Sequence, residues 1–174
     1  MQTRIISIVI QKGGVGKTTT AINISTVLTI MNKKVLLIDI DAQGNATSGL
    51  GIKQAKRVKT SYDLFTKESS IEDLIIKCNE INLELIASTT SIAAVELEIG
   101  KKEDAHLLLK KQIDLIRNKY DYIIFDCPPS LNLITINALV ASTEVIIPML
   151  CDFFSLEGLS HLIKTISKIK KQFN

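Results

Sequence analysis

Five apolar runs divide this chain, at 4–11, 35–39, 83–87, 122–126 and 144–148. They are rich in Ile, Val and Leu and do not alternate with polar residues, which predicts strands buried on both faces. Between them the apolar positions return every three or four residues. That spacing predicts helices over 18–32, 61–66, 71–77, 90–99, 104–118, 132–141 and 155–172. Strand and helix alternating along the chain predict an α/β fold, a mostly parallel β-sheet with helices on both faces. Ligands of such sheets sit at the carboxyl ends of the strands. The last helix carries Leu162, Ile166, Ile169 and Phe173 on one face and Lys164, Lys168, Lys170 and Lys171 on the other. A basic amphipathic helix can lie on a membrane, but an ordinary helix packed on the sheet has the same pattern, and the second reading is preferred.

Length and composition narrow the picture a little. A chain of 174 residues with 46% apolar content predicts one domain, 1–174, with a sizeable core. No run approaches the ~20 apolar residues of a membrane helix, and the first run leads straight into glycines, as a strand does rather than a secretory signal. A net charge of +3 is too small to indicate a nucleic-acid partner. Cys78, Cys127 and Cys151 are scattered, as free thiols in a reducing compartment are, and form no metal-binding pair. His106 and His161 stand in polar helical contexts, where solvated or half-buried imidazoles are expected.

Three of the strand ends carry candidate chemistry. After the first comes Lys12-Gly13-Gly14-Val15-Gly16-Lys17-Thr18-Thr19, followed at once by a helix. Strand, glycine turn and helix start together make a nest of backbone N–H groups that wraps a phosphate chain. The glycines let the backbone approach the phosphates, Lys17 reaches the terminal ones, and the Thr18 hydroxyl is placed for Mg²⁺. The second run ends in Asp39-Ile40-Asp41, two carboxylates that point the same way on an extended chain. One would support Mg²⁺ or its waters and the other would orient an attacking water; the alternative for Asp41 is a helix cap. The fourth run ends at Asp126, a carboxylate positioned to hold Mg²⁺ through water, and Pro128-Pro129 stops that strand.

The ordinary P-loop pattern needs glycine at position 11, where this chain has Gln11, and Lys12 is an additional lysine. The octet resembles the deviant Walker A motif of the ParA/MinD family of P-loop ATPases. Asp39-Ile40-Asp41-Ala42-Gln43-Gly44-Asn45-Ala46-Thr47 resembles that family's Walker A′ segment, with Ala42 in place of a usual proline. Asp126-Cys127-Pro128-Pro129-Ser130-Leu131 resembles its switch II segment, with Asn132 where glycine is common. The segment 148–159 resembles the family's stretch after the next strand, with Asp152 in place of a usual Glu and Leu156-Glu157-Gly158-Leu159 at its end; it is given little functional weight. Within the superfamily the match is to ParA/Soj chromosome or plasmid partitioning proteins rather than to MinD. Cluster cysteines of nitrogenase-reductase relatives are not found, and no helix-turn-helix precedes the P-loop.

The resemblance implies ATP and Mg²⁺ as cofactors, held by residues 12–19 with Thr18, Asp39 and Asp126 on the metal side. Lys12, Lys17 and Asp41 become the catalytic residues, Asp41 being the one tied to hydrolysis. Lys12 is expected to reach across an ATP-dependent homodimer to the partner's nucleotide. A weak basal ATPase is implied, along with a ParB-type partner, nonspecific DNA contact, no stable membrane association, and a cytoplasmic or nucleoid location. Compared with similar proteins the chain is expected to be short at its C-terminus, without the part that supplies the adenine pocket and the DNA-contact residues. Two alternatives stay open: a MinD-like division-site ATPase, and a nucleotide-binding remnant without activity.

Overall fold

A computed structural model describes residues 2–54, 57–66, 69–78, 81–150 and 153–173, with the side chains of 153–158 not described. Cys151 and Asp152 lie outside the described residues, as do the side chains of Leu156 and Glu157.

The strands are β1 (Arg4–Ile8), β2 (Val35–Asp39), β3 (Ile75–Cys78), β4 (Leu83–Ile86), β5 (Tyr122–Asp126) and β6 (Glu144–Ile146). They form one six-stranded sheet in the order β3-β4-β2-β5-β1-β6. All neighbours run parallel except β3, which pairs antiparallel with β4. The helices are α1 (Lys17–Ile30), α2 (Asn45–Gly49), α3 (Asp63–Thr66), α4 (Val95–Ile99), α5 (Leu108–Ile116), α6 (Leu133–Ala141) and α7 (Phe153–Phe173), with short 3₁₀ turns between several of them.

Side chains leave a strand on alternate faces, so one sheet feeds two cores. Ile5, Leu36, Ile38, Ile123 and Phe125 join Leu109, Ile113, Ala138, Leu139 and Leu162 of α5, α6 and α7 on one face. Ile6, Ile8, Leu37, Leu85 and Ile124 join Ala21 of α1 and Ala46 of α2 on the other. Helices therefore cover both faces, as the strand runs predict. In α7, Leu162 and Ile169 are buried in the first of these cores, and Ile166 and Phe173 pack against it. The apolar stripe of that helix is a packing face.

The helix predicted at 71–77 is a 3₁₀ turn over Ile71–Leu74 followed by β3. Ile71, Leu74 and Ile75 are spaced as in a helix, yet the β-branched pair Ile75-Ile76 pairs with Leu85 and Ile86 of β4 instead. Other bounds tighten. The first run is strand only to Ile8, the last only to Ile146, and 90–99 and 104–118 each begin as a 3₁₀ turn. Helix α1 ends in a Schellman motif: Asn32 takes φ 60°, Lys33 N–H donates to the Leu28 carbonyl and Asn32 N–H to that of Thr29. The reversal delivers the chain directly into β2.

Candidate nucleotide-binding site

Between the end of β1 at Ile8 and the start of α1 at Lys17 the chain makes the glycine loop. Gly14 has φ 73° and Gly16 φ 84°, left-handed values that residues with a Cβ rarely hold. A Cβ built on Gly13, Gly14 or Gly16 would meet nothing within 4 Å, so the loop presents bare backbone to open space. Gly16 is also the N-cap of α1, which has no side-chain cap and no acidic residue in its first turn. The first amides of a 14-residue helix thus face the loop with no side-chain acceptor, the arrangement that suits a phosphate.

Lys17 opens the helix with its side chain turned inward, and the residue is only 7% exposed. Its Nζ donates to the Lys12 carbonyl at 2.8 Å. Burial lowers its pKa, and the nearby Asp126 and Asp41 act in the opposite direction. Lys12 is half-buried at the mouth of the loop, Val15 is buried, Thr18 is half-buried and Thr19 exposed. At that mouth Gln11 Oε1 lies 3.2 Å from His161 Nδ1 of α7, so the residue that replaces a P-loop glycine contacts the last helix.

Adjacent parallel strands set two carboxylates side by side, for Asp39 of β2 is in register with Asp126 of β5. Both are fully buried. Asp39 Oδ1 accepts from the Asp41 N–H at 3.1 Å, and Oδ2 accepts from the Thr47 N–H at 2.8 Å and the Thr47 hydroxyl at 2.7 Å. Three protein donors thus occupy most of the roughly four acceptor positions of that carboxylate. Burial raises its pKa, and the Thr47 donors pull it down. Asp126 is different: neither oxygen completes a hydrogen bond among the described residues. Burial first, and then the Asp39 charge, push its pKa up to about 7, while the nearby Thr18 hydroxyl and Lys17 favour the ionised form.

Asp41 follows β2 by two residues and is 9% exposed. Its Oδ1 accepts from the Gln43 N–H at 3.0 Å, and its carbonyl accepts from Gly44 N–H. The N-cap of α2 is Gly44, with φ 60°, so the Asp41 side chain closes its own turn and leaves the helix cap to glycine. A Cβ on Gly44 would stand 3.1 Å from the Ser88 carbonyl and 3.0 Å from Arg57 Nη1. Beyond Asp126, Cys127 is fully buried; its N–H bonds the Ile8 carbonyl, and burial drives its thiol pKa upward. Asn132, the residue in place of the common glycine, caps α6 by accepting from the Thr135 N–H at 3.1 Å.

The structure brings the P-loop, Asp39, Asp41 and Asp126 to the carboxyl ends of β1, β2 and β5. Two participants were not among the expected site residues, Thr47 at the end of the Walker A′ segment and the Ser88 amide that donates to the Thr47 hydroxyl at 2.9 Å. Among the described residues no three His, Cys, Asp or Glu side chains gather as a metal cluster. Magnesium does not require one. It favours one or two carboxylates, with phosphate oxygens, hydroxyls and waters completing its octahedron. The unsatisfied oxygens of Asp126 beside Thr18, next to an uncapped glycine cradle, fit such an ion with a nucleotide.

A glycine loop opening a helix on a mostly parallel sheet, with carboxylates at the neighbouring strand ends, defines a P-loop nucleoside triphosphatase, and the lysine before the glycines makes it one of the deviant Walker A type. The family model described as an AAA domain matches residues 3–174. Soj, the sporulation initiation inhibitor protein of Bacillus subtilis, is 46% identical over 171 residues, which are 98% of this chain and 68% of that protein. The chromosome partitioning protein ParA of Caulobacter vibrioides is 42% identical over 173 residues, 98% of this chain and 65% of that one. Cobyrinic acid a,c-diamide synthase of Mycobacterium smegmatis, solved with an ATP analogue and magnesium, superimposes with a TM-score of 0.93 at 30% identity, over 99% of this chain and 70% of that one. This chain belongs to the ParA/Soj family of partitioning ATPases, whose cofactors are ATP and Mg²⁺. It spans about two thirds of the length of these curated relatives.

Proposed function

We propose that residues 1–174 form a single ATPase unit that binds Mg²⁺–ATP and hydrolyses it, as part of a machine that segregates chromosomes or plasmids. The observation that carries this reading is the meeting of Lys17, Asp41 and the unsatisfied Asp126 at the ends of three strands. The amides of Gly13, Gly14, Val15 and Gly16 would cradle the phosphates, with Thr19 and the start of α1 behind them. Lys17 would give its ammonium to the terminal phosphates. Thr18 would hold Mg²⁺ directly and Asp126 through water, with Asp39 beside it completing the acidic floor. The ion would neutralise charge on the phosphates. Asp41 would orient the attacking water, which phosphoryl transfer requires more than it requires covalent chemistry.

Lys12 needs a different task, because Lys17 and the amide nest already serve the nucleotide in cis. In this reading it reaches the nucleotide of a second copy across an ATP-dependent homodimer, acting as an arginine finger does. The dimer would contact DNA nonspecifically and respond to a ParB-type partner, in the cytoplasm or on the nucleoid. The similarity to Soj and ParA supports the partitioning role.

Asp41→Ala is the direct test. It should bind ATP with nearly the affinity of the unaltered chain, measured by calorimetry, while turnover with DNA and a ParB-type protein falls by roughly two orders of magnitude or more. Unaltered turnover in Asp41→Ala would remove Asp41 from the chemistry. No turnover of the unaltered chain in any of these mixtures would remove the ATPase reading.

A further inference from the structure

Thr47 is fully buried in the first turns of α2, a five-residue helix whose own hydrogen bonds cannot hold it rigidly. It nevertheless joins three segments. Its N–H and hydroxyl both donate to Asp39 Oδ2, at 2.8 and 2.7 Å, and the hydroxyl oxygen accepts from the Ser88 N–H, two residues past β4. The other Asp39 oxygen holds the Asp41 N–H. Asp39 is thereby turned toward the loop that carries Asp41, and each of its oxygens has a donor from that loop or from α2.

The geometry points to Thr47 as a positioning residue for hydrolysis: with the Asp39 carboxylate it fixes the backbone of Asp41 against β4 and so aims the Asp41 side chain. This rests on the proposed ATPase role of Asp41 and goes beyond it, since the Walker A′ threonine makes no contact with Lys17 or the glycine loop among the hydrogen bonds described. The hydroxyl is required in both of its capacities, donor to Asp39 and acceptor from Ser88. Valine has the shape and neither capacity; serine keeps both.

Two further features supply rigidity at the same point. Gly44, directly before α2, packs its Cα against the Ser88 carbonyl, where a Cβ would stand 3.1 Å away. Arg57 donates to the Ser48 hydroxyl and the Ile52 carbonyl and so grips the other end of α2. A loop held at both ends transmits the loss of its central bond to Asp41 instead of absorbing it.

The test compares Thr47→Val, Thr47→Ser and Asp39→Asn with the unaltered protein in steady-state ATPase assays, in nucleotide titrations, and in amide hydrogen exchange at Asp41. Thr47→Val should lower kcat by about tenfold or more with KM and ADP affinity unchanged, because misplacement by a fraction of an ångström is enough to slow a positioned reaction. Thr47→Ser should restore kcat to within roughly threefold. Asp39→Asn should lower kcat as well, since an amide must turn an N–H toward one of the donors that the carboxylate accepts, and nucleotide affinity should fall with it where Asp39 stands on the metal side. Exchange at the Asp41 amide should quicken in Thr47→Val and Asp39→Asn and not in Thr47→Ser. A Thr47→Val protein with unaltered kcat, or one whose kcat loss is matched by lost nucleotide affinity, overturns the inference. Equal damage from Thr47→Ser overturns it too. Should Thr47→Val not fold, Thr47→Ser and Asp39→Asn carry the comparison through exchange at the Asp41 amide. If the unaltered chain has no turnover, the ATPase reading fails and the exchange pattern alone decides whether Thr47 holds Asp41.

Discussion

Asp126 holds two buried oxygens that no described donor satisfies, in register with a second buried carboxylate. Its pKa of about 7 lies above the ordinary value of 3.8, so the folded chain binds this proton more tightly than the unfolded chain does. The sign follows: what the neutral acid contributes to stability is complete below about pH 4 and is lost as the pH rises toward and past 7. In metal-free buffer, Asp126→Asn should therefore gain stability over the unaltered protein as the pH is raised from 5 to 8, by no more than about 4 kcal/mol. Urea unfolding at several pH values measures this; parallel curves for the two proteins would show that Asp126 is already relieved. Lys17 is the other residue whose loss should be felt directly. Removing its charge-assisted contact in Lys17→Ala should weaken ATP binding at least about tenfold. Unchanged calorimetric affinity would separate the loop from the nucleotide.

At the scale of elements, β2 and β5 have the bounds predicted from sequence because every residue in them is apolar until the terminal aspartate. Such runs have one stable fate, the middle of a covered sheet. Edge structure is less legible. Strand β3 pairs with one neighbour only and is half-buried, so its fate depended on β4 and not on its own pattern. Helix α2 was missed for a related reason: five residues have little helical preference of their own, and Gly44, Asp39 and Ser88 hold them in place. The P-loop and the two strand-end aspartates could be read because their chemistry lies in consecutive residues. The role of Thr47 could not, although it stands in the Walker A′ segment, since its partners lie 8 and 41 residues away along the chain. Asn132 gives a simple test at this scale. Asn132→Ala leaves the Thr135 amide without its acceptor and should destabilise the protein by about 1 kcal/mol, whereas Asn132→Gly should cost only a few tenths. Equal denaturation midpoints for all three proteins would mean that the cap is idle.

The whole molecule is a sheet between two cores, with the phosphate loop at the rim where both end. The proposed dimer would form across that rim, because Lys12 lies at the mouth of the loop. With ATP, Asp41→Ala should run as a dimer in size exclusion coupled to light scattering at tens of micromolar, and the double variant with Lys12→Gln should run as a monomer. A monomeric Asp41→Ala protein under those conditions would end the dimer model for this chain. A phosphate at this loop would meet an ammonium that already has one acceptor. The Lys17 ammonium has a bond to the Lys12 carbonyl within its own loop. An ammonium has three N–H donors, so a phosphate would take the remaining ones without displacing that carbonyl, and measured affinity would report bonds added to a lysine already anchored. The loop would thus hold its lysine in place before a nucleotide arrives, and part of the ordering cost of binding would already be met in the fold.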